Sequence, residues 1–131
     1  MKAIVNTKLI LEDGIIFDGD VENIVARTSV GDICILKNHI DYIAPIEIGK
    51  VKIKLEGGDE KKGACTGGFL SVSESQARLV ATTFEFSEEI DIKRAEKAKE
   101  KAEEKLKTDK NSKIAEIKLK KALLRLEVSQ K

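Results

Sequence analysis

Three observations in the sequence predict an all-β sandwich followed by a C-terminal antiparallel helical hairpin. Up to Phe86, short stretches alternate apolar and polar residues and are separated by turn-forming residues. Beyond Phe86 the apolar residues recur at about 3.6-residue spacing instead. Charge changes sign at the same place: residues 88–131 hold 14 Lys and Arg against 10 Asp and Glu, whereas residues 1–87 hold 10 against 13. The boundary is placed near Ser87, giving a β domain over 1–87 and a two-helix unit over 88–131. The net charge of +1 over 131 residues is therefore a cancellation between an acidic body and a basic tail.

Candidate strands run from Ala3 to Leu11, Gly14 to Asp18, Val21 to Ser29, Asp32 to Leu36, Ile40 to Pro45, Lys50 to Glu56, Gly68 to Ser73 and Arg78 to Phe84. Val51, Ile53 and Leu55 alternate with Lys50, Lys52, Lys54 and Glu56, the signature of a half-buried strand. Breaks fall at Glu12-Asp13-Gly14, Asp18-Gly19-Asp20, Val30-Gly31-Asp32, Gly57-Gly58-Asp59 and Ser73-Glu74-Ser75, which tolerate positive φ or bond their own backbone.

In the first helix Ala95, Ala98, Ala102 and Leu106 form one narrow apolar stripe, with Asp91 or Ser87 as its N-cap. A polar break from Lys107 to Ser112 separates it from a second helix starting near Ile114. That helix carries two stripes: Ala115, Leu119, Ala122, Leu123 and Leu126 on one side, Ile114, Ile117, Leu124 and Val128 on nearly the other. One stripe suits the first helix, and the other requires the β domain or a different protein. Lys118, Lys121 and Arg125 mark a basic edge between them.

Several chemistries are excluded. A single histidine, His39, rules out a site of several imidazoles, and Cys34 and Cys65 lack paired metal-ligand spacing. Both cysteines sit in strand-like apolar context and are expected to be reduced and mostly buried. Gly57-Gly58 and Gly67-Gly68 do not open a phosphate-cradling helix, and Ser71, Ser73 and Ser75 read as strand or turn residues. No constellation for turnover is present. No apolar run approaches the roughly 18 residues that span a bilayer, and Asn6 and Lys8 interrupt the start, so neither a span nor an export signal is expected. The basic second helix leaves open a free-standing nucleic-acid or nucleotide-binding module, although no aromatic stacking pair accompanies it.

Three strings, in order, carry a resemblance: Gly31-Asp32-Ile33-Cys34-Ile35-Leu36 followed by His39 and Gly49; Gly67-Gly68-Phe69-Leu70-Ser71-Val72; and Ile90-Asp91-Ile92-Lys93-Arg94-Ala95. Together they resemble the epsilon subunit of the F-type rotary ATP synthase, along essentially the whole chain. The resemblance implies a sandwich of about ten strands plus two helices, in a non-catalytic central-stalk subunit. Such a rotor subunit binds gamma, rests on the c-ring and lies peripherally on the cytoplasmic face of the bacterial membrane, coupling proton or sodium ion flow to ATP synthesis. Its hairpin would alternate between a compact form on the sandwich and an extended form reaching the alpha and beta subunits and hindering ATP hydrolysis.

By position, the resemblance implies nucleotide contacts at Glu85, Asp91, Arg94 and Arg125, with no required cofactor and ATP as a regulatory ligand. It implies c-ring contacts at Asp32, Asn38 and His39, and an inhibitory basic face at Lys118, Lys121 and Arg125. Asp91 and Arg94 read equally as an N-cap and an exposed helix charge. Two further family arginines fall at Lys101 and Lys121, where lysine keeps the charge and loses the bidentate fork. The family's Pro-Gly before the histidine is Lys37-Asn38 here, and its Ala-Pro after it is Ile40-Asp41.

Overall fold

In the computed structural model, residues 5–37, 41–74 and 76–129 are described. The strands are β1 (Val5–Leu11), β2 (Gly14–Thr28), β3 (Gly31–Ile35), β4 (Tyr42–Leu55), β5 (Glu60–Ser73), β6 (Gln76–Ala81) and β7 (Phe84–Phe86). A short 3-10 turn, Ser87–Glu89, leads to helices α1 (Ile92–Thr108) and α2 (Lys113–Ser129). The strands pair in the order β1-β6-β5-β4-β2-β3, with β7 added on β5 and a further β1–β2 pairing that closes the ladder.

Three of the strands are longer than the sequence suggests. The candidates at 14–18 and 21–29 are one strand, β2, and those at 40–45 and 50–56 are one strand, β4. Each long strand changes which parity faces the core, and that change explains the apparent breaks. In β4 the inward residues are Ala44 and Ile46, then Gly49, Val51 and Ile53. In β2 they shift between Val21 and Ile24, where the ladder to β4 slips between Val21 and Asn23. In β5, Gly63 and Cys65 give way to Leu70 and Val72 across Gly67, whose φ is +109°.

A strand that flips its inward parity is passing from one layer of a sandwich to the other. One layer holds β1, β6 and the early parts of β2 and β4 with the late part of β5. The other holds β3, β7 and the complementary parts. The seven continuous strands thus supply about ten layer segments, as the resemblance implies.

Between the layers lie Leu9, Ile24, Ile35, Ile53, Leu70 and Leu79, all buried to within 1%. Each contributes about 1.5–3 kcal/mol relative to exposure. Buried Thr28 is satisfied by its own turn: its hydroxyl donates to the Gly31 carbonyl at 2.7 Å and accepts from the Val30 N–H at 3.3 Å.

Cys65 is buried as expected, but Cys34 is exposed. Alternation decides this: Ile35 takes the inner face of β3, so Cys34 must point outward.

The hairpin seam is built of alanine, with Ala95 and Ala102 of α1 and Ala115 and Ala122 of α2 buried. Asp91 is the N-cap of α1, its carboxylate accepting from the Arg94 N–H at 3.1 Å, and Ser112 accepts from the Ala115 N–H at 3.2 Å to start α2. Leu124 and Val128 pack with Ala64, Ile90 and Ile48, which seats the C-terminal half of α2 on the β domain. The other half of that stripe is not covered: Ile114 is 70% exposed and Ile117 46%. Leu123, grouped by spacing with Ala115 and Ala122, is also exposed. At this turn the helix faces solvent over a groove rather than its partner.

Candidate functional site: the seam between sandwich and hairpin

Strand β7 lays Glu85 beside Ala64 of β5, and Ala64 lies beside Lys50 of β4. This row, acidic then apolar then basic, is the seat of α2. Arg125 Nε donates to Glu85 Oε1 at 2.7 Å, Leu124 and Val128 sit among the neighbours of Ala64, and Lys50 Nζ lies 3.7 Å from Glu127 Oε1. Phe84 and Phe86 turn inward from β7 and meet edge-on at 5.1 Å, which leaves Glu85 between them to face the helix.

Glu85, Asp91, Arg94 and Arg125 all line one cavity of 370 Å³, completed by Thr83, Glu89 and Ala95. The structure therefore gathers into one place four residues spread over 41 positions of sequence. Thr83 and Glu89 were not singled out from sequence. Thr83 falls inside the candidate strand 78–84, which the structure interrupts between β6 and β7, and Glu89 reads only as a charge at the start of the helical unit.

Arg94 has no ion pair among the described residues, whereas Arg125 is held by Glu85. Three carboxylates, Glu85, Glu89 and Asp91, and two guanidiniums, Arg94 and Arg125, line the cavity. Lys101 and Lys121 do not line the cavity. Beside it, the Glu88 carboxyl is held below its ordinary range by its own backbone N–H first, then by the Ser87 hydroxyl, with a smaller contribution from Lys61.

Asp32 lies at the far edge of the same outer face, exposed and paired with Arg27 Nε at 3.1 Å. Asn38 and His39 lie outside the described residues. On the basic edge, Lys118 is exposed, and Lys121 and Arg125 are half-buried. A larger cavity of 570 Å³ flanks α2 on its other side, with Asp32 in its wall. Among the described residues no group of three or more His, Cys, Asp or Glu side chains is placed to hold a metal ion, and no helix is long and apolar enough to cross a membrane.

A two-layer sandwich carrying a helical hairpin on one outer face matches a known protein family. Residues 5–87 match the beta-sandwich domain of the ATP synthase Delta/Epsilon chain, and residues 88–130 match its long alpha-helix domain. The chain belongs to the ATP synthase delta/epsilon family.

Its relatives place it on the epsilon side. The ATP synthase epsilon chain of Caldanaerobacter subterraneus subsp. tengcongensis is 42% identical over 119 residues, covering 88% of this chain and 86% of that one. The epsilon chain of Bacillus pumilus is 37% identical over 129 residues, covering 97% and 98%. A chain in the cryo-EM structure of the Euglena gracilis mitochondrial ATP synthase (OSCP/F1/c-ring) shares the fold. Its TM-score is 0.74 at 23% identity, over 97% of this chain and 78% of that one. This protein is an epsilon subunit of the bacterial type, and a free-standing nucleic-acid module is not favoured.

Proposed function

We propose that this epsilon subunit, part of the central stalk of ATP synthase, works as a non-catalytic rotor element that ties gamma to the c-ring and restrains ATP hydrolysis through its hairpin. It would act at the cytoplasmic face of the membrane, held there by the complex. The observation that carries this reading is the contrast between the two outer faces of the sandwich. One is covered in part by α2. The other exposes an unbroken cross-strand row, Pro45–Phe69–Val80–Ile10–Ile15, spanning five strands. Phe69 is 56% exposed, Val80 48% and Ile15 56%, and Ile43 beside the row is 72% exposed. Such a continuous apolar strip needs a partner, and gamma is the partner that epsilon membership supplies. Asp32 with Asn38 and His39 is the proposed c-ring contact.

Docked as it is here, the hairpin is in its compact form, and Arg125 is committed to Glu85. In the extended form the stripe of Leu124 and Val128 needs new burial against alpha and beta, with Lys118, Lys121 and Arg125 meeting acidic groups there. ATP in the 370 Å³ cavity touches both modules and so favours the compact form.

Reconstitution with the catalytic head and gamma tests the regulatory role. A protein stopped after Phe86 is expected to assemble normally and relieve inhibition; equal hydrolysis with full-length and shortened protein overturns it. Phe69→Glu with Val80→Glu is expected to abolish co-purification with gamma. Calorimetry with millimolar ATP is expected to give saturable heat for wild type and little for Arg94→Ala; no heat from wild type removes the nucleotide reading.

A further inference from the structure

On the flank of α2 opposite Arg125, the 570 Å³ cavity separates the helix from strands β2, β3 and β4. That volume lies within the roughly 300–1,000 Å³ typical of small-ligand sites. Its walls are chemically unequal. Val25 and Ile48 on the strands and Leu123 on α2, itself 45% exposed, give it an apolar lining.

Its two carboxylates are already engaged, Asp32 with Arg27 at 3.1 Å and Glu127 with Lys50 at 3.7 Å. Lys52 on β4 and Lys120 on α2 have no ion pair among the described residues. Two uncompensated ammonium groups therefore flank an apolar lining, one from each module.

We propose that this cavity binds a phosphate monoester carrying an apolar body. Near neutral pH such a group carries about −1.5 to −2 charges, which matches two free ammoniums, while a single carboxylate would neutralise only one. The apolar body covers Leu123 and Ile48. Because Lys52 belongs to the sandwich and Lys120 to the hairpin, the ligand bridges them and holds α2 on its seat. By reciprocity, a docked α2 raises affinity for the ligand. This site shares no residue with the arginine cavity and stands or falls independently of ATP binding there.

The test is titration of full-length protein with n-octyl phosphate, kept below its micelle concentration, followed by calorimetry and by hydrogen exchange of the α2 backbone. Saturable binding is expected, weakened about tenfold by either Lys52→Gln or Lys120→Gln, as expected for loss of one charge-assisted contact. Arg94→Ala is expected to leave it unchanged, and inorganic phosphate to bind at least tenfold more weakly. Bound ligand should slow exchange in the last turns of α2. Vesicles of phosphatidylcholine with and without phosphatidic acid distinguish a lipid source from a soluble ester. No saturable binding, equal binding by the doubly substituted protein, equal affinity for inorganic phosphate, or unchanged exchange in α2 each overturns the proposal.

Discussion

Arg125 and Glu85 are 40 residues apart in sequence and 2.7 Å apart in space, and each is about one-third exposed. Solvent screening limits such a pair to about 1 kcal/mol, so Arg125→Ala is expected to loosen the hairpin without unfolding the sandwich. Faster hydrogen exchange confined to α2, and non-additivity with Glu85→Gln, would show it. Cys65 makes the opposite kind of prediction. Burial raises its thiol pKa above the ordinary value, with a smaller opposing effect from the Gly67 backbone. As pH climbs past the ordinary thiol value, the unfolded chain ionises before the folded one. Stability is therefore full below that value and falls with alkali until the folded thiol also ionises. Cys65→Ala is expected to flatten this alkaline slope in urea melts. Exposed Cys34 should react with a thiol reagent in the native state, leaving Cys65 protected until denaturation.

The first half of β5 is where sequence patterning was least informative. Lys61-Lys62-Gly63-Ala64-Cys65-Thr66 lacks alternation because both of its faces are covered: Cys65 points to the core, Ala64 lies under α2, and small residues serve on both sides. A Cβ on Gly63 would overlap the Phe84 ring and the Glu85 carbonyl. Gly63→Ala is thus expected to displace β7 and cost about 1–3 kcal/mol, read as a lowered urea midpoint together with loss of hairpin docking. By contrast, the second half of β4 was legible residue by residue, since one of its faces meets the core and the other carries charge. The helices were legible in extent. The fate of the second stripe of α2 was not, because periodicity reports a face and cannot say how far along the helix the β domain reaches.

Over the full chain, the two modules meet through a small apolar centre, Leu124 and Val128 against Ala64 and Ile48. Placing Asp at both 124 and 128 is expected to release the hairpin while the β domain keeps its own transition, seen as an increased radius of gyration in small-angle scattering with unchanged strand signal. An unchanged radius would mean that the alanine seam and ion pairs hold the docked form unaided. The arginine cavity was visible in sequence only through resemblance. Its members come from β7, the start of α1 and late α2, and no local spacing joins them.

The seat of α2 also sets a direction. Going from β7 to β4 the sheet presents Glu85, Ala64 and Lys50, and the helix answers with Arg125, its apolar pair and Glu127. Turned end for end on the same seat, the helix would set Glu127 against Glu85 and Arg125 against Lys50, two like-charge encounters in place of two attractions. The joint is therefore keyed. A hairpin released from this seat would regain both ion pairs in only one of the two orientations.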